Sequence, residues 1–195
     1  MIPQALTEFV PFLIKCGEGK MMWLYLDSKG LVTVGIGNML PNLAAALALS
    51  WVDLNGNPVG AAAITAAWNA ITARKDLIGK GGGFFRNVTS IRLTEASLDA
   101  LIDRDISEDE SVLIPLFPGY ATVPWQAQVA LLRLSWAMGA YFASNGKWPN
   151  LRAAWAAQNW AACAQQCRIP ELDATEPQAN EDEAQLFEEC LQVAA

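Results

Sequence analysis

Histidine is absent from all 195 residues. That removes Ser-His-Asp and Cys-His nucleophilic machinery, and most zinc sites with it. Basic residues are scarce: 13 Lys and Arg stand against 20 Asp and Glu, a net charge of −7, so a nucleic-acid partner is not expected. Although 53% of residues are hydrophobic, no apolar run reaches membrane-spanning length without a charge or a Gly/Pro break, and no membrane insertion is expected. The opening stretch MIPQALTEFVPFLIKCGEG lacks a basic n-region, its first basic residue being Lys15, so a secretory signal of the usual kind is not expected. The glycine run GKGGG at 79–83 lacks the spacing and the Lys-Ser/Thr ending of a phosphate loop. Cysteines number four: Cys16, Cys163, Cys167 and Cys190. Cys163 and Cys167 lie one helical turn apart and Cys190 on a later helical stretch. That leaves open a disulfide from Cys190 to one of them, in an oxidising compartment, or buried free thiols.

What is present reads as one mainly helical α+β domain with a small antiparallel sheet near the N-terminus. Residues 3–17 have helical apolar spacing (Leu6, Phe9, Val10, Leu13, Ile14), with Pro11 either kinking one helix or starting a second; Gly17 and Gly19 stop it. Residues 23–37 switch to strand-forming types around an Asp-Ser-Lys-Gly turn, a hairpin. Asn42 caps a short helix to about Ser50, and WVDLNGNPVG at 51–60 forms a second small hairpin around its Asn-Gly and Asn-Pro turns. Residues 61–75 are helical, with Ile64, Trp68 and Ile71 on the buried face. Ile91–Leu93 reads as a strand, and Thr94 caps a helix carrying Leu98, Leu101, Ile102 and Ile106 to about Ile114. Residues 125–139 hold one charge, Arg133, and are apolar nearly all round, the mark of a central helix. Short helices follow at 151–157 and 159–167, then an acidic loop at 168–180. A last helix runs from Glu181 to Val193 with Leu186, Phe187 and Leu191 inward. The acid concentrated at 103–110 and 171–189 reads as solvated helix face; the sharper alternative is a surface for a basic immunity protein or a delivery apparatus.

The chemistry concentrates in residues 18–38, EGKMMWLYLDSKGLVTVGIGN. Glu18 ends an apolar helix, where the helix dipole disfavours a carboxylate and raises its pKa, the direction a general acid needs. Asp27 opens the hairpin turn, and the Thr33 hydroxyl can both donate to and accept from a water held jointly with Asp27. A proton-donating acid and a second carboxylate are what glycoside hydrolysis requires. On spacing alone, a surface Glu and a turn-forming Asp are the better account of the pair.

The pattern E-G-x5-Y-x-D-x2-G-x2-T-x-G-x-G, carried by Glu18, Gly19, Tyr25, Asp27, Gly30, Thr33, Gly35 and Gly37, resembles the catalytic signature of the phage-type lysozymes, glycoside hydrolase family 24, and their pesticin-like relatives. Weaker likenesses extend it: Ile91-Arg92-Leu93-Thr94, Trp136-Ala137-Met138-Gly139, and Trp148 to Leu151. The resemblance implies one lysozyme-like catalytic domain with a small β-containing lobe (about 20–93) and a helical lobe (about 1–19 plus 94–195) joined by a long helix. It implies an inverting, cofactor-free and metal-free muramidase, monomeric, acting on peptidoglycan glycan strands in the periplasm or a target cell wall. Release through a holin-type pore or a secretion system would deliver it. Carried over position by position, Glu18 is the general acid and Asp27 with Thr33 activates water, with carboxyls roughly 6.5–9.5 Å apart. Tyr25, Gly37, Asn38, Met39, Trp136, Met138 and Gly139 fall at substrate-contacting positions. Of the eight tryptophans, the resemblance moves only Trp136 into the groove; the others read as core or lobe-interface residues.

Two departures stand out. Asn38 occupies a position where the family often has His, and an amide cannot titrate. The family also tends to place Arg after an Asn in the last helical region, to pair with the catalytic Glu. Here Asn180 is followed by Glu181, Asp182 and Glu183, which leaves Arg133, Arg152 or Lys20 for that role. The competing readings are a catalytically weak peptidoglycan-binding module and a lytic transglycosylase, which needs one acid and no water-activating Asp.

Overall fold

A computed structural model of the protein describes residues 3–15, 19–170 and 177–193. The architecture is mainly helical α+β, with eight α-helices, a three-stranded antiparallel sheet and a two-stranded sheet among the described residues. The chain divides into two compact units, Glu18–Asp105 and Met1–Gly17 with Ile106–Ala195.

In the unit Glu18–Asp105, strands β1 (Met21–Leu26), β2 (Val32–Gly35) and β3 (Asn38–Met39) pair antiparallel in that order. The register sets Tyr25 opposite Thr33, Thr33 opposite Met39 and Val34 opposite Asn38, with an irregularity in β1 between Met21 and Tyr25. Leu24, Leu26, Val32, Val34 and Ile36 are buried, whereas Leu31, read as strand, lies before β2 and is exposed. Helix α2 (Leu43–Leu47) is capped by the Asn42 side chain, which accepts from the Ala45 N–H. It stops short of Ser50 because sheet and helix-cap partners capture the next residues. The Ser50 N–H donates to the Ser97 hydroxyl, and its carbonyl accepts from Thr94 N–H. Strand β4 (Trp51–Val52) then pairs with β5 (Arg92–Leu93). The expected small hairpin at 51–60 forms: the chain turns at Asn55-Gly56, Val52 bridges Pro58 antiparallel, and Asp53 N–H and Val59 N–H donate to the Asn57 and Trp51 carbonyls; the longer-range pairing with β5, forty residues on, is added to it. In α3 (Ala61–Thr72) the buried stripe is Ile64, Ala67 and Ile71. Trp68 falls at its edge, half-buried rather than inside, because the stripe is centred on Ala67 and Ile71.

Helix α4 (Glu95–Leu116) is capped by the Thr94 hydroxyl, which accepts from Ser97 N–H; the division between the units falls inside this helix. In the other unit, α1 (Pro3–Lys15) is one continuous helix through an exposed Pro11, burying Ala5, Phe9, Phe12 and Leu13 while Ile14 stays half-exposed. Helix α5 (Trp125–Met138) is buried at every residue from Gln126 to Ser135, as a helix apolar nearly all round requires. It packs on α1 and on α8 (Pro177–Val193). Helices α6 (Pro149–Ala156) and α7 (Trp160–Gln166) complete the unit, and α7 packs closely on α8. A chain of aromatic contacts runs through Phe142, Phe117, Trp155, Trp160 and Phe187, and the Trp155 indole N–H donates to the Pro118 carbonyl.

Two expectations for α8 are corrected. The helix starts at Pro177, whose missing N–H costs nothing in a first turn, not at Glu181. Its buried stripe is Ala179, Asn180, Asp182, Glu183, Leu186, Phe187 and Cys190, so the acidic run is not wholly solvated and Leu191 points outward, 48% exposed. Leu191 sits one residue past the edge of a stripe centred on Glu183 and Cys190. The three described cysteines, Cys163, Cys167 and Cys190, are free, buried thiols, which answers for them the alternative left open by spacing; Cys16 lies outside the described residues.

Candidate functional site

The β1–β2 turn is built by its own carboxylate. Asp27 Oδ1 accepts from the backbone N–H of Lys29 and of Leu31, both at 2.8 Å, and Gly30 takes a φ of 78°, which its lack of a Cβ allows. Asp27 Oδ2 has no hydrogen-bond partner among the described residues, and the residue is half-exposed, so one oxygen shapes the loop and the other is not spent on it. Thr33 is buried, and its hydroxyl donates to the Leu31 carbonyl at 3.2 Å. That bond uses the hydroxyl's one proton and leaves an acceptor lone pair.

Across the sheet, Tyr25 pairs with Thr33, and Thr33 with Met39, which is 45% exposed. Gly37, at a φ of 98°, and Asn38 follow β2. Asn38 is 1% exposed and engaged at both ends of its amide: its Oδ1 accepts from Ile36 N–H at 3.1 Å, and its Nδ2 donates to Asp105 Oδ2 at 2.8 Å. Asp105 also pairs with Arg104. Nothing in the residue order singles out Asp105; only a tertiary contact over 67 positions assigns it a place beside the glycine loop. Gly35, at a φ of 71°, is hemmed in by Leu98 and by Asn38, whose Oδ1 would lie 2.5 Å from an added Cβ. The close approach at this glycine is made by neighbouring elements of the protein.

On the same face of β1 as Tyr25 lies a second feature. Trp23 donates its indole N–H to the Gly82 carbonyl at 2.9 Å, and a Cβ at Gly82 would lie 3.3 Å from the Tyr25 ring. Two guanidinium carbons lie over the Trp23 ring, Arg86 at 5.6 Å and Arg92 at 5.5 Å from its centroid. Arg92 donates to the carbonyls of Arg86, Thr89 and Ile91, while Arg86 is exposed and makes no ion pair among the described residues. Burial, and then the positive charge of Arg86, hold the Arg92 guanidinium below its usual pKa.

No known family or curated protein matches this chain.

Glu18 lies outside the described residues, as does its separation from Asp27. Tyr25, Asp27, Thr33, Gly37, Asn38 and Met39 share one small sheet and its turns. Trp136, Met138 and Gly139 belong to the other unit, at the end of α5. There Trp136 is half-buried and meets Phe9 edge-to-face at 5.4 Å, and Gly139, at a φ of 87°, closes the helix by donating to the Ser135 carbonyl.

Of the three cations weighed as partners for Glu18, Lys20 forms a 2.6 Å ion pair with Glu95. Arg133 is 2% exposed, with Nε and Nη1 lacking hydrogen-bond partners among the described residues, and Arg152 Nε is likewise unpartnered there. Glu183 is buried in the same unit as Arg133. Desolvation pushes its carboxyl well above the usual range, while the Arg133 charge acts in the opposite sense. Asn180, expected to precede a cation, bonds both backbone groups of Ile169, pinning the chain ahead of α8.

Proposed function

We propose that the protein is a muramidase that hydrolyses the β-1,4 bond between N-acetylmuramic acid and N-acetylglucosamine in bacterial peptidoglycan. In this reading Glu18 protonates the leaving oxygen. Asp27, through the oxygen the turn leaves unused, and Thr33, through its free lone pair, hold and activate water for an inverting attack. No metal or cofactor takes part. The observation that carries the reading is the eight-residue signature from Glu18 to Gly37. It is supported by the way Tyr25, Asp27, Gly30, Thr33, Gly35 and Gly37 fall on one small sheet and its turns, with Asp27 Oδ2 left without a partner among the described residues. Holin-type release or a secretion system would bring the chain to the wall. No helix among the described residues is long and apolar enough to cross a membrane.

Muropeptide mass spectrometry after digestion of purified peptidoglycan tests the assignment. Wild type should release muropeptides with reducing N-acetylmuramic acid ends, and Glu18→Gln should release none while melting at the same temperature or higher. Products ending in 1,6-anhydro sugars, with Asp27→Ala fully active, would replace hydrolysis by lytic transglycosylation. Equal inactivity of wild type and Glu18→Gln would leave a binding module. That second reading is favoured by one observation, the carboxylates that follow Asn180 where the resemblance leads one to look for Arg.

A further inference from the structure

We propose that Arg86, stacked on Trp23 and backed by Arg92, forms a receptor for a carboxylate of the peptidoglycan stem peptide. The identity of this ligand rests on the muramidase reading; the anion site itself rests on geometry. Two guanidiniums share one indole, at 5.5 and 5.6 Å from its centroid. Neither meets a carboxylate among the described residues, and the two charges oppose each other, Arg86 disfavouring the charged form of Arg92. Three other arginines at the surface are neutralised: Arg74 by Asp76, Arg104 by Asp105, Arg168 by Glu181. The pair on Trp23 is therefore an uncompensated positive spot, and an anion bridging it relieves the repulsion that holding it open costs.

Three further features fit a ligand site. Arg92 spends its donors on the carbonyls of Arg86, Thr89 and Ile91, which fixes the backbone that carries Arg86 and leaves the Arg86 fork free. Residues 19–93 hold seven Lys and Arg against three Asp, so this stretch is locally basic in an acidic protein. Finally, Trp23 and Tyr25 both pack against Gly82, on the strand that leads into Asp27, so the receptor lies along the same strand face as the proposed chemistry. Stem peptides carry free carboxylates at intervals along the glycan, and a planar guanidinium takes a carboxylate through two parallel hydrogen bonds.

Isothermal titration of the full chain tests this with synthetic L-Ala-γ-D-Glu-meso-diaminopimelate and with its fully amidated form. The carboxylate form should bind at least tenfold tighter than the amidated one. Arg86→Gln should lower its affinity about tenfold towards the amidated level, with the melting temperature unchanged. Arg86→Lys, which keeps the charge but not the fork, should fall between. Equal affinity of wild type for the two peptides, or wild-type affinity in Arg86→Gln, overturns the proposal. Binding without glycan cleavage removes the muramidase reading and keeps the anion site; cleavage without Arg86-dependent binding does the reverse.

Discussion

Gly35 and Asn38 depend on each other. Asn38 Oδ1 accepts from Ile36 N–H in the space where a Cβ on residue 35 would project, and Leu98 closes the other side. Gly35→Ala therefore meets two penalties, a φ of 71° and overlap with a buried hydrogen-bonded amide. It should destabilise by about 2–4 kcal/mol, read from denaturant midpoints; a change under about 0.5 kcal/mol would show that the loop relaxes freely. Two glycines in a strand pattern announce a close approach, and that much is legible from sequence. Which atoms approach is not, because Leu98 lies 63 positions downstream. Likewise, Asp27 is recognisable as a turn former, but nothing in the residue order says that Oδ1 is consumed by the turn and Oδ2 is not.

At the scale of elements, α8 departs furthest from its reading. Its run of acids looks like solvated surface, yet Glu183 is 1% exposed. Burial raises the folded-state pKa of Glu183 above its unfolded value, so the unfolded chain gives up this proton first as pH rises. Stability should then fall from about pH 4.5 upward until the folded carboxyl also ionises. Glu183→Gln, which mimics the protonated acid, should match wild type near pH 4 and melt higher at pH 7, as differential scanning calorimetry across that range would reveal. A lower melting temperature at pH 7 would instead mean that ionised Glu183 is held by Arg133. The α7–α8 interface also buries Cys163 and Cys190, with burial pushing their thiols up to about 12 and about 11. Thiolate is the reactive form, so native protein at pH 8 should leave Cys163, Cys167 and Cys190 unlabelled by iodoacetamide, and denatured protein should be fully labelled by mass spectrometry. Rapid native labelling would show that α8 opens readily. Helical periodicity found α8 and its inward Leu186 and Phe187. The side on which Glu183 and Leu191 fall depended on the centre of the buried stripe, which α5 and α7 set by packing against it.

Across the whole molecule, charge is segregated. Residues 106–195 hold eleven acids against four bases, while residues 19–93 are net basic. A net charge of −7 repels an anionic wall over distances that salt controls: the Debye length shrinks from about 30 Å at 0.01 M to about 8 Å at 0.15 M. If the protein is the proposed muramidase, its initial rate on whole sacculi should rise as salt is raised through that range, followed by turbidity; a fall would mean that the basic stretch dominates the encounter.

Sequence alone determined the helical character, the N-terminal hairpin and the central position of α5, because each is written in periodicities and turn residues within a dozen positions. It also determined which chemistries are closed to a chain without histidine. Tertiary structure alone decided the pairing of Trp51–Val52 with Arg92–Leu93, the Asn38–Asp105 bond, the burial of Glu183 and the two arginines on Trp23. Hydrogen bonds, desolvation and charge act over a few ångströms of space, and the groups involved lie tens of residues apart along the chain.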